Sequence, residues 1–136
     1  MIRTLGLGLF LGAAHAASAE TAMIEMTTDG VSGTSLTQIF ADGTILQDQT
    51  LPGKSPTHLV RHAPPAVFSA AAALLAAEGL PTKAALPDAR TECLVAFAES
   101  LRALPPIAGF DQASASCPNP VLDRLMLKIT HSLATP

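Results

Sequence analysis

Tryptophan and tyrosine are absent from the 136-residue chain, and five phenylalanines supply its aromatic content of 4%. Base stacking needs exposed aromatics, and phosphate binding needs clustered Lys and Arg. The chain has neither: 8 basic residues stand against 11 acidic ones, a net charge of -3. Nucleic acid is therefore not among the expected partners. There are two cysteines and no CxxC pair, which removes the usual redox motif. Beyond residue 19 no apolar run approaches the ~18 residues of a membrane span. The longest, 66–77, is Ala-rich and interrupted by Ser69.

What is present points to a small exported domain. Hydrophobic residues make up 49% of the chain, too many for a disordered protein, and the length suits one domain. Residues 1–19 read as a cleaved signal peptide. Arg3 supplies the positive start, 5–14 is a short apolar run, and Ala17-Ser18-Ala19 is a small-x-small cleavage site before Glu20. Ten helical residues span only about half of a ~30 Å hydrocarbon core, so a permanent anchor is the poorer reading. The expected destination is the periplasm or the medium, with no stable membrane insertion after cleavage. Residues 20–136 are expected to form a single small α+β domain. In an oxidising compartment the two cysteines, Cys93 and Cys117, are expected to form one disulfide. Closing that loop of about 24 residues would stabilise the fold by roughly 3 kcal/mol.

Hydrophobic periodicity sets the order of elements. Ile24 and Met26 alternate with Glu25 and Thr27, and Asp29-Gly30 and Gly33 mark a turn. Leu36–Ala41 and Thr44–Leu51 flank Asp42-Gly43, a hairpin signal because a type I′ turn needs two residues tolerant of positive φ. With a two-residue loop, Phe40 would face Ile45 and Ile39 would face Leu46. Neither face would then be cleanly apolar, and a half-covered sheet is expected. Residues 56–62 read as extended. Pro64-Pro65 introduces an Ala/Leu-rich helix over 66–78, with Gly79 as its C-terminal stop. Residues 92–104 fit either a strand or a helix. The favoured reading is a second β-hairpin, 92–99 with 107–115. Asn119 as N-cap and Pro120 at the first helical position open a C-terminal helix. Its stripe is Leu122, Leu125, Met126, Ile129 and Leu133, with Leu127 about 140° away.

The segments IEMTTDG, QIFADGTI, the Ala/Leu helix and SCPNPVLDRLM resemble small exported proteobacterial domains of unknown function. Their layout is similar to that of emfourin-type inhibitors of metalloproteases. The resemblance lies in the order of elements and implies an α+β fold and inhibition of a protease. It transfers no individual functional residue.

Candidate chemistry is sparse. His58-Leu-Val-Arg-His62 is the one close histidine pair. An i,i+4 pair chelates metal on a helix, but the flanking prolines favour a strand, where the pair lies about 13 Å apart. A small metal-dependent or hydrolytic enzyme using His58 and His62 is thus an alternative, not the preferred reading. Gly30-Val-Ser-Gly33 lacks the spacing of a nucleophile elbow. Glu92 and Glu99 are read as solvated charge. No catalytic, metal or cofactor residue is assigned. Two features suit a binding role: the first hairpin, if it forms a sheet edge open to a partner strand, and Leu127 beside Arg124 and Lys128. The expected function is non-enzymatic binding or accessory work, the partner being a cell-envelope protein or an exported protease. A pocket for a small apolar ligand between helix and sheet is a further alternative.

Overall fold

The fold comes from a computed structural model that describes residues 22–78 and 96–134. Six strands form one antiparallel sheet: β1 (Met23–Gly30), β2 (Gly33–Phe40), β3 (Thr44–Thr50), β4 (Thr57–His62), β5 (Phe97–Ile107) and β6 (Phe110–Ala115). Their spatial order is β4-β3-β2-β1-β5-β6. Helix α1 (Ala66–Glu78) follows β4, and helix α2 (Pro120–Ala134) follows β6. The expected α+β class is borne out. The leader 1–19, Gly79, Glu92 and Cys93 lie outside the described residues, so the expected Cys93–Cys117 bridge is not part of the described structure.

The core lies between the helices and one sheet face. Ile24, Ile39, Ile45 and Ala103 are side-by-side neighbours across β1, β2, β3 and β5, and all are fully buried. Ala71 and Leu75 from α1 and the whole α2 stripe close over them. Val67, Phe68 and Leu74 pack at the margin of this cluster. The other sheet face is held by polar cross-strand pairs. Gln38 Nε2 donates to Glu25 Oε2 at 2.8 Å, and the Thr27 and Ser100 hydroxyls lie 2.5 Å apart.

Three details of the strand reading change. The β2–β3 register is one residue off the expected one, with Ile39 facing Ile45 and Gln38 facing Leu46. The cause is a three-residue loop, Ala41-Asp42-Gly43. The Gly43 N–H donates to the Phe40 carbonyl at 2.9 Å, the Thr44 N–H donates to Asp42 Oδ1 at 2.9 Å, and Gly43 takes φ +92. This is the three-residue hairpin in which a turn is followed by a left-handed glycine. The shift gathers both isoleucines on the core side. Second, the β2–β3 hairpin is not an edge, because β4 pairs along β3 from Thr57 to His62. Third, the second hairpin is displaced. Its strands are 97–107 and 110–115, joined by Ala108-Gly109, both at positive φ (49 and 81). Of the described part of 92–104, residues 97–104 are strand. A register shift between Arg102 and Ile107 accommodates Pro105 and Pro106, and the Leu104–Pro105 bond is cis.

Helix α2 begins as its sequence predicts. Asn119 Oδ1 accepts the N–H groups of Val121 and Leu122 at 3.0 and 3.2 Å, satisfying two of the donors a helix start leaves open.

Candidate functional site

The helix-facing side of the sheet is not uniform, and its gradient creates the site. The row of Ile24, Ile39, Ile45 and Ala103 is wholly apolar. The next row, Met26, Thr37, Gln47 and Leu101, is mixed. The third, Thr28, Ser35, Gln49 and Glu99, carries hydroxyl, amide and carboxyl groups. Helix α2 covers the apolar row, and its start reaches Glu99 at the polar end. The result is an open groove of about 310 Å³ between α2 and β1, β2 and β5. Met26, Phe97, Met126 and Leu127 give it apolar walls, and Thr28, Ser35, Thr37 and Thr130 line it with hydroxyls. Thr28 and Ser35 hydrogen-bond to each other at 2.6 Å.

Two acids, Glu99 and Asp123, meet in this groove. Glu99 is only 4% exposed, a correction to its reading as solvated charge. The alternation of β5 turns Glu99 toward the helices, where Oε1 accepts the Asn119 N–H at 3.3 Å. A residue from the sheet thus does for α2 what the glutamate of a capping box does from within a helix. Burial, followed by a hydrogen bond to the Asp123 side chain, raises the Glu99 pKa to about 7, against the smaller lowering effect of the Asn119 N–H. Around neutrality Glu99 is therefore only partly ionised, and its protonated form can donate a hydrogen bond. Sequence reasoning missed the pair because its members stand on different elements, 24 positions apart. The signal it could have used was a lone acid on the apolar phase of β5.

The expected partner residues divide. Leu127 is 55% exposed and lines the groove. Arg124 is exposed one turn away. Lys128 Nζ is engaged with Glu78 Oε1 at the end of α1, and this contact, aided by the Arg124 charge, lowers the Glu78 pKa. Phe97 also borders a second hollow of about 360 Å³ with Asp29, Gly30 and Val31.

His58 and His62 do not converge within the chain. Both are exposed on β4, four residues apart in a strand. His58 Nδ1 bonds Asp48 Oδ1, and His62 Nδ1 lies 3.5 Å from the Thr44 hydroxyl. Among the described residues no three His, Cys, Asp or Glu side chains gather in a potential metal site. Nor is any described helix long and apolar enough to cross a membrane. Comparison with known protein families, with curated proteins and with solved structures returns no match.

Proposed function

We propose that the protein is an exported, non-enzymatic binding domain that holds a protein partner along the α2 groove. The observation that carries this reading is the groove itself. It is an open channel with apolar walls, a polar floor and an exposed leucine, Leu127, on its rim. Apolar anchors surrounded by polar groups are the usual anatomy of a protein interface. Arg124 beside Leu127 gives the rim a positive contact. The proposed leader 1–19 would deliver the chain to the periplasm or the medium. There a Cys93–Cys117 bridge would tie the start of α2 to the segment before β5. The partner is a cell-envelope protein or an exported protease, and protease inhibition rests on the similarity in the order of elements.

A photo-crosslinking residue at position 127, expressed in the native host, tests the reading. A discrete crosslinked species that disappears with Arg124→Glu in the same protein is the expected result. A clean monomer band, with the crosslinker active and the protein exported, would overturn it. Intact mass of the exported material checks the two covalent parts of the proposal. It should begin at Glu20 and lie two hydrogen atoms below the mass of the dithiol form.

A further inference from the structure

We infer that β4 pairs with β4 of a second copy of this chain, and that the pairing builds two bis-imidazole sites for a zinc-class cation. The argument starts from the backbone. The Ala63 N–H donates to the Gly43 carbonyl at 2.9 Å, which makes 43 and 63 a hydrogen-bonded pair. Antiparallel pairs alternate, so Arg61, Leu59 and Thr57 are the residues bonded to β3. The N–H and C=O groups of His58, Val60 and His62 therefore point away from the sheet. Every residue of β4 is exposed, with Leu59 at 55% and Val60 at 46%.

Exposed edges are normally defended by proline, lysine, inward charge or a bulge. The opposite edge has such defences: β6 carries Asp111 and lies beside the irregular stretch of β5 with Pro105 and Pro106. β4 has none. Its sequence, THLVRH, contains no proline, lysine or acid, and its register with β3 is unbroken. Of the two edges of the described sheet, it is the one that invites a strand.

The register chooses the occupant. A two-fold axis at Val60 places Val60 opposite the partner's Val60, and His58 opposite the partner's His62, twice. All three outward residues then exchange both of their bonds, about six in total. No like-charged side chains of fixed charge oppose each other, because Arg61 faces the partner's Leu59. Arg61 is moreover already held by the Leu133 carbonyl at 2.8 Å.

The same register resolves the histidine motif. Within one chain His58 and His62 are about 13 Å apart, too far to share an ion. Across a hydrogen-bonded antiparallel pair, Cα atoms are about 5.5 Å apart and side chains lie on one face. His58 and the partner's His62 then come within reach of one cation. Asp48 already holds His58 Nδ1, the carboxylate arrangement that orients a ligating imidazole and leaves Nε2 for the metal. Imidazole suits zinc, copper and nickel, with water completing the shell.

Sedimentation of the purified protein in EDTA and in zinc chloride tests this. The expected result is a dimer that binds one zinc per chain and whose dissociation constant falls about tenfold or more with zinc. His58→Ala and His62→Ala should each abolish the zinc effect while leaving the metal-free association. Val60→Pro removes an N–H that β3 does not use, and should abolish association with and without zinc while circular dichroism is unchanged. Amide exchange gives a readout that needs no variant: protection at His58, Val60 and His62 should rise with protein concentration. A protein that stays monomeric with zinc at millimolar concentration overturns the inference, as does protection that does not respond to concentration. A dimer indifferent to zinc overturns the metal sites. None of these outcomes bears on crosslinking at position 127, so the two proposals fail separately.

Discussion

The two helices reach the same core by opposite means. Helix α1, AVFSAAAALLAAE, is built almost entirely from strong helix formers and is apolar all round. It has no acid in its first turn and no base in its last, and it buries only Ala71 and Leu75. Helix α2, PVLDRLMLKITHSLA, is less apolar and includes the β-branched Val121, Ile129 and Thr130. It buries five residues on one side, carries Asp123 early and His131 late, and has a capped start. For α1 local propensity suffices, and small side chains let it lie close to the sheet. For α2 the direction of one face decides everything. The difference teaches where function can sit. An Ala-rich helix offers few polar groups to arrange, here Ser69 and Glu78, whereas the amphipathic one can face the core with one side and line a groove with its flank.

Substitutions can break this contrast. The largest effect is expected from Leu125→Ala, because Leu125 is fully buried in the α2 stripe. It should lower unfolding free energy by about 3 kcal/mol in chemical denaturation. Ala71→Leu tests the opposite principle at α1, where the site is fully buried and already filled. Overpacking should destabilise by about 2 kcal/mol. Equal loss from Leu125→Ala and no loss from Ala71→Leu would mean that α1 is not seated by close approach.

The third effect depends on pH. Unfolded, Glu99 releases its proton near the ordinary 4.5; folded, it does so at about 7. Between those values the folded chain binds more protons at Glu99, so this group's contribution to stability is fully present below pH 4.5 and is lost as pH rises through about 7. The contribution should be about 2 kcal/mol, read as a lower melting temperature at pH 8 than at pH 5. Glu99→Gln should flatten that slope, since the amide mimics the protonated acid. The smallest effect belongs to the cap. Asn119→Ala should cost about 1 kcal/mol, and Asn119→Asp should restore most of it. No comparable position exists at the start of α1, where prolines replace a side-chain cap.

These same contrasts explain what could be read from sequence. Both helices were legible in position because α1 is written in composition and α2 in a stripe with a cap. The Asp42-Gly43 turn was legible, but the register was not, because whether Ala41 joins the loop depends on which face of β2 the helices cover. The strand character of 97–104 was only half legible, since Leu94, Phe97, Leu101 and Leu104 fit a helix equally well. Glu99 and Asp123 were invisible as a pair. Their meeting depends on where α2 lands on β5, and nothing local encodes it. The exposed edge was misplaced for a similar reason: edges belong to topology, and six residues of β4 decided it.

One tight spot in the fold limits how its descendants can vary. At Gly43 an added Cβ would sit 1.9 Å from the Ala63 carbonyl oxygen, whereas at Gly53, also at positive φ (69), it would meet nothing within 4 Å. Asparagine should thus be accepted at Gly53, while at Gly43 any L side chain would collide with the Ala63 carbonyl. In a saturation library position 43 should be the emptiest column of the first hairpin, because the reversal between β2 and β3 passes directly beneath the exit of β4.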